Sequence, residues 1–526
     1  MIQQGSSCCD HLFILRAAID IALSEKHTAF VTYYDVSKAY DNVCNNDLLV
    51  TMWEKGLKGK AWRILKNLNT NLTAVINTRF GYTREINMEI GGKQGSRLTG
   101  RMFAKMMDLL SEEFSETDLG FKMDIDFIIA TLLWVDDVIT FAEGEKDQEK
   151  ILDKMDEFAI KHKLKWGQSK CNVMRIGRHK GGTKEWNIGD MTIQETKTYR
   201  YLGDIVTPDG KNTENLDNRC AKLKATTINI DTFATGETLQ LIASSVLIES
   251  HEKICIPGLL TNCESWNLNK KDETYIERME IQAIKHLFDL PIHTPTVAII
   301  FTFGLLYTTQ RIDQKQLIYL HKILTKGDNE WPKRTLKVLE AKNIGWFKKI
   351  CDTLTKYELP TDFDVVATIT PNAWRRAVEL AIERENLNRI KEDLYKKVDD
   401  TKIPKTKTKS IIDRIADPHY SRGPDPVILK MTKNECKSTV ITRYGMLECG
   451  CNLKGTMAPI CSSCKVPDNE QHRLDDCPKF SNLRAPERID FSMVYSNNVE
   501  EVRPVLAGVE HLWDTKYANG TARKDL

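Results

Sequence analysis

The chain has 526 residues, 41% of them hydrophobic, and a formal net charge of +2. That length predicts roughly two to four domains, and the apolar content is ample for buried cores and excludes wholesale disorder. No run approaches the ~20 apolar residues that cross a bilayer. Residues 1–10 show no leader pattern, so the expectation is a soluble intracellular protein of nucleus or cytoplasm, not a secreted one.

Leu12, Leu15, Ile19 and Leu23 share one face and predict a helix over residues 9–23. Residues 28–34, rich in aromatic and β-branched side chains, read as a strand. Residues 47–68 read as helices broken at Gly56, and 72–79 with 83–90 as a strand pair around Gly81. A helix follows Ser96. Residues 127–141 read as two apolar strands meeting at Asp136–Asp137, residues 147–162 as an amphipathic helix and 172–205 as short strands. From 213 to about 324 the pattern turns helical, which places a domain boundary near Gly210. Residues 373–397 form another helix, and 401–410, with Pro404 among alternating Lys and Thr, a linker. An antiparallel sheet with helices on one face is the economical architecture for the front. Two basic runs, 161–184 and 391–414, are candidate phosphate-binding faces.

Three carboxylates carry the candidate chemistry. Asp35 ends the strand in Tyr-Tyr-Asp-Val-Ser-Lys-Ala-Tyr-Asp, and Asp136 and Asp137 sit at the turn of Leu-Leu-Trp-Val-Asp-Asp-Val-Ile. If those strands are neighbours, the three converge at one sheet edge and repel one another unless cations neutralise them. Hard oxygen ligands select Mg²⁺ or Mn²⁺. Paired ions of this kind activate a 3′-hydroxyl and stabilise departing pyrophosphate in polymerases. Taken singly, either motif has an ordinary reading as a turn or a helix cap; their order and surroundings distinguish them.

That order resembles the palm of reverse transcriptases. Residues 33–41 resemble the first motif, with an Asp (Asp35) followed five residues on by an aromatic (Tyr40). Lys93-Gln94-Gly95-Ser96-Arg97-Leu98-Thr99 resembles the second, and Trp134-Val135-Asp136-Asp137 the third. Leu164-Lys165-Trp166-Gly167-Gln168-Ser169-Lys170 is similar to a fourth that ends in lysine, and Tyr199-Arg200-Tyr201-Leu202-Gly203 to the strand that grips the primer end. The fullest likeness is to non-LTR (LINE-type) retrotransposon reverse transcriptases, because Pro257-Gly258-Leu259-Leu260 and Cys263-Glu264-Ser265-Trp266-Asn267-Leu268 resemble their thumb.

The resemblance implies an α+β fold with a polymerase palm and a remnant of fingers over 1–210, a helical thumb over 211–345, a helical connector and basic linker over 346–435, and a zinc-knuckle tail over 436–526. It implies RNA-directed DNA synthesis from deoxynucleoside triphosphates on an RNA template and a DNA primer. Asp35, Asp136 and Asp137 would hold Mg²⁺ or Mn²⁺. Tyr40 would lie under the sugar and exclude a 2′-hydroxyl, and Gln94 and Gly95 would approach the template base and nucleotide. Lys170 would protonate the leaving pyrophosphate or bind its charge. Trp134 stands where the family has Phe or Tyr, Arg97 and Gly100 replace prolines, and Gly167 replaces an asparagine. The fingers that should precede Gly5 are missing, so the expectation is a chain truncated at its front.

Fourteen cysteines in an intracellular chain point to thiols or metal ligands rather than disulfides. Cys461-x₂-Cys464-x₇-His472-x₄-Cys477 has the soft ligands and spacing of a tetrahedral Zn²⁺ site, similar to the single-strand-binding knuckles of many LINE-type proteins. Cys449 and Cys451 are alternative ligands or play no part. Two other readings stand beside the polymerase: a non-catalytic nucleic-acid-binding remnant, and an RNA-dependent RNA polymerase, which Tyr40 and the thumb likeness count against.

Overall fold

The computed structural model describes residues 7–88, 90–92, 96–177, 184–234, 243–399 and 425–444, together with 464–466, 472, 478, 499–500, 502–503 and 505–506. These form two compact units. The first comprises residues up to Asn215, with Glu264–Leu268 and Tyr319–Asp352; the second comprises Leu216–Cys263, Asn269–Ile318 and the residues from Thr353 onward.

Helix α1 (Cys8–Ser24) opens the first unit with a capping box. The Ser7 hydroxyl accepts from the Asp10 amide and the Asp10 carboxylate accepts from the Ser7 amide. Strand β1 (Ala29–Asp35) then runs through the middle of the sheet. Every residue from Ala29 to Tyr34 is buried, which requires cover on both faces. Three helices follow: α2 (Ala39–Asn42), α3 (Asn45–Glu54) and α4 (Gly59–Asn69). The strand pair expected next is interrupted. β2 (Leu72–Ala74) pairs with β5 (Ile86–Met88), and inside them β3 (Asn77–Thr78) pairs with β4 (Gly81–Tyr82). The break falls where the Thr83 hydroxyl takes over the Ile76 amide at 3.0 Å.

Ser96 caps α5 (Arg97–Ser115) through the Thr99 amide. Beyond it β6 (Phe121–Asp124) pairs with β7 (Phe127–Ile129), and β8 (Thr131–Trp134) turns into β9 (Asp137–Ala142). The segment 127–141 thus holds three strands rather than two, because the chain breaks at Ala130 and β7 folds back on β6. After α6 (Glu145–Lys161) come β10 (Asn172–Ile176), β11 (Trp186–Ile188) and β12 (Met191–Glu195). The sheet order is β11-β12-β10-β1-β9-β8, antiparallel except between β10 and β12.

One face of β1 joins a core with Met102, Phe103, Met106, Met107 and Leu110 of α5 and Ile151, Leu152, Met155 and Phe158 of α6. These lie three and four residues apart, as a helix requires to cover a sheet. Tyr33 points to the opposite face, where it stacks on Tyr199 with ring centroids 3.9 Å apart. Tyr201 lies beside Tyr33, and α1 closes that side through a 3.4 Å hydrogen bond between the Tyr201 hydroxyl and His11 Nδ1. Helices therefore cover both faces of the sheet, not one. The cause is legible in β1, whose aromatic residues alternate sides and leave no face polar.

The second unit is helical, with a core that includes Leu247, Ile284, Leu287, Phe288, Phe301 and Phe303. Charged side chains pair within it. His251 Nε2 lies 3.2 Å from Glu280, and the Arg311 guanidinium grips Glu252 at 2.7 and 2.6 Å. Among the described residues no helix is long and apolar enough to cross a membrane.

Candidate active site

Strand pairing brings the carboxylates together. In the β1–β9 register Asp35 lies directly opposite Asp137, so their side chains leave the same face of the sheet about 5 Å apart at Cβ. Trp134 pairs with Asp137, leaving Val135 and Asp136 as a two-residue turn. Val135 adopts φ +58°, a left-handed conformation costly for a β-branched residue. Such strain concentrates where a turn must aim a functional side chain. All three carboxylates are half-buried.

Their electrostatics show the crowding. Burial, then the charges of Asp136 and Asp35, raises the Asp137 carboxyl to about 6, against the opposing pull of Lys170. The Lys170 ammonium donates to Asp35 Oδ1 at 3.1 Å, and that bond with the surrounding carboxylates raises its own pKa. As they stand, no three Asp, Glu, His or Cys side chains among the described residues converge on one ion-sized point. The exposed lysine is the cation that meets Asp35.

The Lys170 loop is laced to the end of β1. The Ser37 amide donates to Lys165 O and the Gly167 amide to Asp35 O, both at 2.8 Å. The Trp166 indole donates to Met155 O at 3.2 Å, and the Tyr199 hydroxyl to Lys170 O at 2.9 Å. Gly167 is the tightest point. A Cβ there would stand 2.9 Å from Asp35 Oδ2 and 3.5 Å from Asp35 O. A side chain at this position would therefore require the Asp35 carboxylate to shift.

Tyr40 lies on α2 beside this cluster. Its ring packs on Phe103 at 5.8 Å, and burial followed by the charge of Asp136 raises its phenol. Gly100, another departure, faces the hydroxyl: a Cβ would come within 3.5 Å of it. Lys93, Gln94 and Gly95 lie outside the described residues, and of the residues beside them Gly92 meets Tyr40. The Gly92 amide donates to Tyr40 O at 2.6 Å, and Ser96 begins α5. Trp134 is accommodated by His11, whose ring meets it edge-on at 5.3 Å. Burial chiefly lowers that imidazole to about 4 and keeps it neutral.

The match over residues 1–206 is to the family described as reverse transcriptase (RNA-dependent DNA polymerase). Within the curated proteins the chain is 26% identical over 211 residues to the retrovirus-related Pol polyprotein from type-2 retrotransposable element R2DM of Drosophila melanogaster. The aligned stretch covers 39% of this chain and 19% of that protein, so the chain spans about a fifth of its relative. The likeness to non-LTR elements expected from the sequence is borne out. Among solved structures it is similar to telomerase of Candida tropicalis in complex with a TWJ fragment of telomeric RNA, at 13% identity and a TM-score of 0.32, covering 78% of this chain and 52% of that one. The corresponding telomerase of Candida albicans matches at 11% identity and a TM-score of 0.29, covering 59% and 52%.

The first unit also contains an anchor built on Asp204, a residue in none of the motifs. β13 (Tyr199–Tyr201) and β14 (Asp204–Val206) form a hairpin through Leu202 and Gly203, both at positive φ. Asp204, fully buried, accepts from Arg16 Nη2 at 3.0 Å and from the Trp266 indole at 2.8 Å. Arg16 Nη1 donates to Asn212 at 2.8 Å, and Asn212 donates to Asn267 O at 3.2 Å. Sequence alone offered Trp266 and Asn267 as motif residues here, but not Arg16, Asp204 or Asn212, which lie far along the chain. Of the expected zinc ligands, Cys464 and His472 are described, whereas Cys461 and Cys477 lie outside the described residues.

Proposed function

We propose that this chain is an RNA-directed DNA polymerase of a non-LTR retrotransposon, acting by two-metal nucleotidyl transfer at Asp35, Asp136 and Asp137. The observation that carries the reading is the register placing Asp35 opposite Asp137, with Asp136 on the strained turn beside it. The donors suit Mg²⁺ or Mn²⁺: they are hard oxygens, and the Asp137 carboxyl is raised by burial and then by the charges of Asp136 and Asp35, a repulsion that a cation would relieve. A bound divalent ion would supply activation of the primer 3′-hydroxyl and charge stabilisation of the departing pyrophosphate.

The chain's own groups do the rest. Tyr40, held between Phe103 and the Asp136 charge, closes the space a 2′-hydroxyl would need and so selects deoxynucleotides. Gln94 and Gly95 contact the template base and nucleotide. Lys170, released from Asp35, binds the pyrophosphate charge or gives it a proton. The Tyr199–Val206 hairpin positions the primer end. RNA template, DNA primer and deoxynucleoside triphosphates are the partners. A helical thumb over 211–345 and a zinc knuckle through Cys461, Cys464, His472 and Cys477 complete the reading, the latter supported by ligand spacing. The compartment is nucleus or cytoplasm.

Primer extension on an RNA template with Mg²⁺ or Mn²⁺ tests it. Extension by the parent chain and its loss in Asp136→Ala, with primer–template binding retained, is the expected result. Binding without extension by the parent chain would favour a non-catalytic nucleic-acid-binding remnant instead.

A further inference from the structure

Residues 55–84 contain seven lysines and arginines and not one acidic residue. Lys55 pairs with Glu112. The other six, Lys58, Lys60, Arg63, Lys66, Arg79 and Arg84, are exposed, and among the described residues none is in an ion pair. The basic run at 161–184 behaves oppositely. There Lys161 pairs with Glu113, Lys163 with Asp47, Lys170 with Asp35, Arg175 with Glu195 and Lys184 with Glu145 and Glu149. Among the described residues of that run all the cations but Lys165 are in ion pairs, while those of 58–84 face solvent.

Aromatic and apolar side chains accompany those free cations. Phe80 at the tip of the β3–β4 hairpin is 93% exposed and Tyr82 74%. Helix α4 buries only Leu65. Trp53 and Trp62 meet edge-on at 4.9 Å, with Lys58 Nζ 3.6 Å from the first ring centroid and Lys66 Nζ 5.2 Å from the second. A solvated charged face has no use for exposed rings, and an ordinary apolar contact surface is depleted in lysine. Cations interleaved with accessible rings match a strand whose phosphates are charged and whose bases are unstacked.

We propose that residues 53–84 form a binding site for single-stranded nucleic acid, with phosphates held by the α4 cations and bases stacked on Phe80 and Tyr82. The site requires no chemistry, so it stands or falls separately from the polymerase reading.

The test is fluorescence anisotropy of the full chain in EDTA, using labelled oligo(dT), oligo(rU) and a duplex, each of about 20 nucleotides per strand, across a salt series. Three variants are compared: the α4 triple Lys60→Ala, Arg63→Ala, Lys66→Ala; a charge-matched α6 triple Lys146→Ala, Lys150→Ala, Lys154→Ala; and the double Phe80→Ala, Tyr82→Ala. The α4 triple is expected to flatten the slope of log affinity against log salt by about 2, at ~0.7 per phosphate on a single strand, and the α6 triple to leave it unchanged. The aromatic double is expected to weaken single-strand binding about five-fold or more and spare duplex binding. Melting temperatures should match the parent, since all the altered side chains are exposed except that of Lys154, which is half-buried. Equal flattening by both triples, or single-strand binding unmoved by the aromatic double, would overturn the proposal and leave the exposed rings to a protein partner. Such a failure, with extension still lost in Asp136→Ala, would leave the polymerase reading intact.

Discussion

Replacing Asp204 by alanine removes one carboxylate and strands two buried donors. The Arg16 side chain is 10% exposed and that of Asp204 0%, so little water can reach the guanidinium once its partner is gone. Asn212 remains as a neutral acceptor at 2.8 Å, but it does not cancel the charge. An uncompensated buried charge of this kind costs about 3–5 kcal/mol. The loss of the Trp266 contact belongs to the same network and does not add in full. Urea unfolding followed by tryptophan fluorescence should therefore show the transition of the Asp204-containing unit destabilised by ~3–5 kcal/mol. The double variant Arg16→Met, Asp204→Leu removes both charges and should recover most of that, because the desolvation cost disappears along with the attraction. A loss below ~1 kcal/mol in Asp204→Ala, or a double variant as unstable as the single, would refute the claim that this ion pair holds the hairpin to α1.

Three further outcomes follow from the geometry. Gly167→Ala adds a Cβ 2.9 Å from Asp35 Oδ2; the carboxylate must shift, so primer extension should fall roughly ten- to hundred-fold with the melting temperature unchanged. His251 should make stability pH-dependent. Burial opposes its charge, but Cys255 and Glu280 outweigh that and raise it from 6.5 to about 9. The pair's stabilisation, about 3 kcal/mol at most, is then full below pH ~6.5 and lost as pH rises through about 9, and thermal melts of His251→Gln should flatten over that window. Metal analysis of the full chain under reducing conditions should find about one equivalent of zinc, lost in Cys464→Ser; none in the parent would remove the knuckle.

What the sequence determined was local or ordered along the chain. Helix periodicity located α1, α5 and α6, because each repeats its apolar residues every three or four positions. The spacing from Asp35 to Tyr40 and the adjacency of Asp136 and Asp137 were readable for the same reason. The string of six buried residues in β1 was also in plain view, yet that it is covered on both sides depends on Tyr33 finding Tyr199 and on His11 reaching Tyr201. The register of Asp35 against Asp137 joins residues about a hundred positions apart, and no local pattern dictates it. That Gly167 lies against the Asp35 carboxylate was also invisible in the sequence. The Arg16–Asp204–Trp266 anchor and the exposure of Phe80 were likewise decided by tertiary structure. Burial and pairing belong to neighbours in space, and a linear sequence names those neighbours only where the chain keeps them close.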